Sequence, residues 1–261
     1  MARIAESRLS PEAHHQVAQI FGVRNARSDL ANAMAQASTW PDEIKANLGN
    51  GAWHYIDLPI QDQTLDLPQR CPAANCIMAR IEIFSRQIAN DRPPAPRDQD
   101  ALRYLIHFLG DVHQPLHTIS NADVGGNCES IDPFHGTTNL HALWDGGIVD
   151  AFELDDTRLA EKSEAYISHL SPAQRESWSA GDPMMWTWES HELALRVIYQ
   201  RLHVPLEPVE FPANCDVAPS EITHFKPHID SLYISDMKPV VRDQLVKAGL
   251  RLARVLNDSF R

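Results

Sequence analysis

The chain has 261 residues, enough for one large domain or two small ones with a sizeable buried core. Its 43% hydrophobic content, six tryptophans and formal net charge of −12 describe a folded, acidic protein with no long basic run. That excludes a grip on nucleic acid through a lysine-rich surface, but not a phosphate-ester substrate whose charge is met locally by metal ions.

Ser10-Pro11-Glu12 starts a helix over residues 11–21, with Pro at the first helical position. Residues 27–48 carry a second helical pattern that ends near Gly49-Asn50-Gly51. Residues 52–72 read as loop, and Asn50 to Asp57 is the best short strand candidate. Helical periodicity returns over 73–91 through Ile77, Ile81, Phe84 and Ile88. Pro93-Pro94-Ala95-Pro96 breaks the chain before Asp98, which caps a helix with Leu102, Leu105, Ile106, Leu109 and Val112 on its apolar face. A glycine-containing loop, Asp123-Val-Gly-Gly-Asn127, runs to about residue 136, and a helix holding His141 and Asp145 follows. Further helices are expected at 156–169, 172–179, 184–202 and 238–257, the last with Val241, Leu245, Ala248, Leu252 and Leu256 at helical spacing. No repeat or linker interrupts this pattern, so one all-α domain of many helices is expected. No apolar run approaches the roughly eighteen residues of a transmembrane helix, and no membrane contact is expected.

Four cysteines are present, Cys71, Cys76, Cys128 and Cys215. The spacing Cys71-Pro-Ala-Ala-Asn-Cys76 suits a disulfide that closes a tight loop ahead of a helix, and Cys128 with Cys215 follows by elimination alone. Disulfides call for an oxidising compartment, yet Met1-Ala-Arg-Ile-Ala-Glu6 shows neither a basic start nor an apolar h-region.

The densest chemistry lies in His107-Phe-Leu-Gly-Asp111-Val-His113-Gln-Pro-Leu-His117. His107 and Asp111 are four apart, hence on one helix face, and Pro115 ends the helix so that His117 can turn back from the loop. The same spacing recurs in His141-Ala-Leu-Trp-Asp145. Imidazole and carboxylate together suit Zn²⁺, which takes nitrogen and oxygen ligands. Trp40-Pro-Asp42-Glu and Trp53-His54-Tyr55-Ile-Asp57 add two further candidates. Asp42, His54, His107 and Asp111 would make one site, and His117, His141 and Asp145 another. Two metals in one cleft is an arrangement that favours phosphoryl transfer.

Taken singly, each residue has an ordinary reading. His54 could be a core residue between aromatics, Asp42 a first-turn helix acid, and His107 with Asp111 a buried ion pair. Taken as a set of seven, the metal reading leads. Spacing alone does not choose between His113 and His117 as the ligand. His14, His15, His169, His203, His224 and His228 are read as surface or capping residues.

The stretches His107 to His117, Asp123-Val-Gly-Gly-Asn127 and Asn139-Leu-His-Ala-Leu-Trp-Asp145 resemble those of the zinc-dependent single-strand nucleases of the S1/P1 type, distantly related to zinc phospholipase C. Trp40-Pro-Asp42-Glu, Trp53-His54-Tyr and Lys247-Ala-Gly-Leu-Arg-Leu-Ala253 match as well, and the resemblance runs from residue 2 to about 257. It implies an all-α fold with three zinc ions at the bottom of a cleft. Asp42, His54, His107 and Asp111 would hold the first, and His117, His141 and Asp145 the second. His117 is thereby selected over His113, which would support the ligands from behind. Asp111 would bridge to a third zinc.

The third zinc of the family also takes a mature N-terminal Trp and a nearby His, which this sequence does not match. The resemblance sets Met1 inside the family's first helix, about eight residues late. The expectation is an N-terminally truncated chain whose missing segment carried a signal peptide and both ligands, in a secreted or periplasmic monomer. The implied activity is cleavage of single-stranded DNA and RNA to 5′-phosphorylated products, with 3′-nucleotidase activity. Asp42 would orient or deprotonate the attacking water, and Lys45, one turn on, would stabilise the charged phosphate. Tyr55 and Asp57 would form the base pocket, by stacking and by accepting the base's donors, with a further hydrogen bond from Asn127. The alternatives are a phospholipase-C-like phosphodiesterase and a non-catalytic zinc-binding paralogue.

Overall fold

The structure, a computed structural model, describes residues 1–62, 67–90, 95–206 and 214–261. The chain opens with α1 (Ala2–Glu6) and α2 (Pro11–Phe21), the latter begun by Ser10, whose hydroxyl accepts from the Ala13 amide over 3.1 Å. The single pattern expected over 27–48 is two helices, α3 (Arg27–Ala37) and α4 (Trp40–Leu48), broken at Ser38-Thr39. A short α5 (Leu67–Arg70) precedes α6 (Ile77–Asn90), which starts four residues later than expected because Pro72 to Ala74 form a separate tight turn. Asp91, Pro93 and Pro94, on which parts of the expectation fall, lie outside the described residues.

The motif helix is α7 (Gln99–Asp111). Asp98 does not cap it as expected; its carboxylate accepts from the Ala95 amide over 2.9 Å and closes the turn that leads in. The strand expected over 50–57 is instead a tight helical turn, Gly51–His54, followed by extended chain. That extended chain is laced to the segment after His117: Ile56 N donates to His117 O (2.9 Å), Ser120 N to Leu58 O (2.8 Å) and Ile60 N to Ser120 O (3.1 Å). The antiparallel pair among the described residues lies elsewhere, in β1 (Ser130–Phe134) and β2 (Thr137–Asn139), turning at His135-Gly136.

After β2 come α8 (Leu140–Ala142), a π-helical turn over Leu143–Gly147, and α9 (Ile148–Asp150). Helices α10 (Asp156–His169), α11 (Pro172–Ser179) and α12 (Pro183–Ala194) begin at Asp155, Ser171 and Asp182, each of which accepts an amide of the first turn. The expected helix over 184–202 changes to π-helical winding at Leu195–Tyr199. A short α13 (Ser220–Thr223) precedes α14 (Ser231–Ser259). This last helix starts seven residues earlier than expected and passes through Pro239, because burying Tyr233, Ile234 and Met237 outweighs the lost proline N–H.

Two apolar cores result. One gathers α2, α3, α6 and α7 around Leu30, Met34, Ile81, Leu105 and Phe108; the other gathers Leu116, Leu140, Leu143, Ile148, Ile198 and Tyr199. Helix α14 serves both, with Met237 and Val241 in the second and Leu252 and Leu256 in the first. The metal-ligand candidates lie where the two cores meet. Both disulfides, Cys71–Cys76 and Cys128–Cys215, are formed. No described helix is long and apolar enough to cross a membrane.

Candidate metal centre

The first cluster joins three elements. Asp42 stands in the first turn of α4, His54 ends the Gly51–His54 turn, and His107 and Asp111 share one face of α7. Asp111 Oδ2 lies 2.9 Å from His107 Nε2 and 3.1 Å from His54 Nδ1. Asp42 Oδ1 lies 3.5 Å from His54 Nδ1 and 3.6 Å from His107 Nε2, and it also accepts from Lys45 Nζ at 2.9 Å.

The second cluster faces it across Asp111. His117 Nε2 is 3.1 Å from Asp145 Oδ1, and His141 Nε2 is 3.3 Å from Asp145 Oδ2, with the two imidazoles stacked at 5.0 Å between centroids. Asp111 Oδ2 is also 3.9 Å from His117 Nδ1, so one half-buried carboxylate looks toward both groups. The lacing of residues 56–60 to 117–120 fixes the spacing, since His54 and His117 stand at its ends.

The far nitrogen of each ring shows which atom is free to bind. His107 Nδ1 donates to Ser38 O (2.6 Å), His117 Nδ1 to His54 O (3.0 Å) and His141 Nδ1 to Gly125 O (2.7 Å). A carbonyl accepts only a proton, so these three rings carry hydrogen on Nδ1 and turn Nε2 to the carboxylates, where it shares a proton with them and can give its lone pair to a cation that displaces that proton. His54 is reversed: Nδ1 faces the acids, while Nε2 is buried without a hydrogen-bond partner, and the ring meets the Phe108 ring edge-on at 5.1 Å. In each of the groups Asp42/His54/His107 and His117/His141/Asp145 the ligand atoms lie within 4.8 Å of one another. Imidazoles that are buried or largely buried and held by carbonyls around carboxylates are a donor set that fits zinc.

The electrostatics agree. Burial opposes ionisation of Asp111, but His107 and His117 beside it, with hydrogen bonds from His107 and His54, hold its carboxyl well below the usual range. Asp145 is held low in the same way by His117 and His141. Burial works against a charge on His117, yet Asp111 and Asp145 raise it to about 9. The clusters therefore store negative charge neutralised by protons, which a cation can displace.

Around the clusters runs a cleft of about 820 Å³. Its wall includes Lys45, Tyr55, Asp57, Val124, Gly125 and Asn127, so every candidate site residue borders one space. Tyr55 is exposed, and burial, with Asp123 nearby, pushes the Asp57 carboxyl up to about 6. Asn127 is exposed, with its amide donating to Val124 O over 2.8 Å. Its loop holds Val124 at φ 56, Gly125 at 61 and Gly126 at 81, and a β-branched residue in that region is strained. Asp123 holds the loop in place: its carboxylate accepts from Asn121 N (3.0 Å) and from Tyr199 OH (2.8 Å).

Three residues stand differently from the sequence expectation. Gln114, singled out for nothing, donates from Nε2 to Asp145 Oδ1 (2.7 Å) while its Oε1 accepts from Leu116 N (2.6 Å), so it aims a candidate ligand carboxylate. His113 hydrogen-bonds to no ligand; Nδ1 donates to Leu109 O (2.8 Å), and Nε2 accepts from the buried Arg251 (2.8 Å). His14 is buried, not on the surface, with Nδ1 at 2.5 Å from Asn25 Oδ1 and Nε2 at 3.2 Å from Glu6 Oε1.

The sequence matches the S1/P1 nuclease family over residues 1–261. The chain belongs to the S1/P1 nuclease family. It is 28% identical to Endonuclease 3 of Arabidopsis thaliana over 251 residues, covering 92% of this chain and 82% of that protein. It is 26% identical to Nuclease P1 of Penicillium citrinum over 281 residues (99% and 94%), and 24% identical to Nuclease S1 of Aspergillus oryzae over 277 (98% and 88%). As an S1/P1 nuclease family member the chain is a helical single domain with His/Asp clusters able to hold metal, and its family implies a nucleic-acid substrate.

Proposed function

We propose that this chain is a zinc-dependent phosphodiesterase that cleaves single-stranded DNA and RNA to 5′-phosphorylated products and removes the 3′-phosphate of nucleotides. The observation that carries the reading is the position of Asp111 between two His/Asp clusters that border the same cleft as Tyr55 and Asp57. Asp42, His54, His107 and Asp111 would hold one zinc and His117, His141 and Asp145 a second; a third would share Asp111. Zinc bound there supplies Lewis acidity toward the phosphoryl oxygens and lowers the pKa of a coordinated water toward neutrality.

The chain's own groups do the rest. Asp42, half exposed and turned into the cleft, orients or deprotonates the attacking water. Lys45, now paired to Asp42, meets the negative phosphate. Tyr55 offers an exposed aromatic face, and base stacking is worth roughly 1–3 kcal/mol for any base. Asp57 accepts the base's donors when ionised, and Asn127 can exchange its Val124 bond for the nucleotide. A base inside a duplex reaches such a pocket only by flipping out, hence the single-strand preference.

Every residue of the proposed site comes from one chain, so a monomer suffices to act. Two disulfides suit a secreted or periplasmic location. The test is hydrolysis of a single-stranded oligonucleotide, its duplex and a 3′-mononucleotide, with zinc and after chelation. Zinc-dependent cleavage that favours the single strand and leaves 5′-phosphates is expected. Activity indifferent to chelation, or confined to phospholipid head groups, would overturn the reading.

A further inference from the structure

Arg80, on the first turn of α6, lies with its guanidinium carbon 3.9 Å from the centre of the Trp53 ring. Most arginines of this acidic chain are tied to a carboxylate, as Arg3 is to Asp156, Arg8 to Glu164 and Arg86 to Glu82. The Arg80 side chain has no hydrogen bond and no ion pair among the described residues. Its Nε is buried without a partner, while the residue as a whole is only partly buried. Burial lowers its pKa, so the charge is already partly stripped of water. An unpaired guanidinium held over an indole suits a phosphate, which such a group recognises bidentately.

Its place in the fold says which phosphate. Trp53 directly precedes His54 and Tyr55, and Gly51 and Ala52 of the same turn border the cleft. Tyr55 O accepts from Ile77 N over 3.1 Å, which ties the start of α6 to the base-stacking residue. We infer that Arg80, stacked on Trp53, is a backbone subsite for single-stranded nucleic acid, binding a phosphate of the strand beyond the nucleotide at the metal clusters. The inference rests on the nuclease reading above and adds a determinant of strand over mononucleotide. The net charge of −12 makes such a contact valuable, because little else on the surface attracts a polyanion.

The experiment measures binding by the full chain of a short phosphorothioate oligothymidylate and of thymidine 3′-phosphate, across a salt series. Arg80→Gln should weaken the oligonucleotide about tenfold relative to the mononucleotide and reduce the slope of log K against log[salt] by about 0.7, the share of one phosphate contact on a single strand. Arg80→Lys should restore the slope while losing part of the affinity. Arg86→Gln, two turns further along α6, makes the same charge change and should alter neither quantity. Equal losses for both ligands in Arg80→Gln, an unchanged slope, or the same effect from Arg86→Gln would overturn the subsite. Failure of the wild-type chain to bind or cleave any nucleotide would instead count against the nuclease reading itself.

Discussion

The imidazole of His141 donates through Nδ1 to the carbonyl oxygen of Gly125 over 2.7 Å, so a candidate ligand of the second cluster is aimed by the glycine loop. Gly125 has φ +61, and a Cβ there would sit 2.6 Å from Leu116 O. The glycines therefore serve the site as well as the turn. Gly125→Ala should cost about 1–3 kcal/mol of stability from strain and clash. By tilting His141 it should also weaken zinc at this cluster about 10–100-fold. Chelator competition with the variant checks the second effect, and unchanged affinity would detach the loop from the metal.

Glu129 is fully buried, and neither carboxylate oxygen has a hydrogen-bond partner. Burial, with Asp123 nearby, pushes its pKa from 4.5 up to about 8. An acid with a raised folded-state pKa contributes stability that is full below its unfolded pKa and is lost as pH rises through the folded one. Stability should therefore fall between about pH 4.5 and 8. Glu129→Gln mimics the neutral acid and cannot ionise, so it should match the wild type at the acid end and melt a few degrees higher at the alkaline end. Thermal melts across pH decide this; a variant that melts lower at the alkaline end would show that the charged form is paired.

Arg251 binds Glu189 (2.6 Å), Trp178 O (3.0 Å) and His113 Nε2 (2.8 Å), and is 1% exposed. This is what the Lys247 to Ala253 stretch does: Lys247 reaches the same Glu189, and a Cβ on Gly249 would sit 2.7 Å from Ile4. Arg251→Met should destabilise the fold by about 2 kcal/mol, because it leaves the buried His113 Nε2 without its donor while Glu189 keeps Lys247. Denaturant titration measures it, and a loss under about 1 kcal/mol would mean the network relaxes without cost.

The two disulfides should differ in weight. Cys128–Cys215 spans 87 residues and Cys71–Cys76 only 5. Loop-closure entropy gives about 4.5 kcal/mol for the first and about 2 kcal/mol for the second. Paired Cys→Ser variants, compared by denaturant titration, should follow that order, and the reverse order would point to structure retained in the unfolded chain.

That the seven His and Asp candidates would converge was legible because His and Asp at helical spacing must share a face, and all seven border one cleft. The misses fall largely at the site. The periodic pattern over 27–48 hides a break at Ser38-Thr39, yet that break frees the Ser38 carbonyl to accept from His107. Regular winding was expected around Asp145, where the chain is π-helical, a deviation frequent at functional sites. Gln114 carried no signal, since a polar residue before Pro reads as a turn, and only the fold brings Asp145 within 2.7 Å of it. His113 has the right residue type at the wrong angle: two residues past Asp111 it points away from the cluster, toward Arg251.

The central claim is that two His/Asp clusters joined at Asp111 hold zinc. Calorimetric titration of the metal-free chain with zinc, run beside His107→Ala, His141→Ala and Asp111→Asn, tests it most directly. His107→Ala and His141→Ala should each abolish one tight site and leave the other, while Asp111→Asn should weaken more than one. Undiminished stoichiometry and affinity in His107→Ala combined with His141→Ala would contradict it.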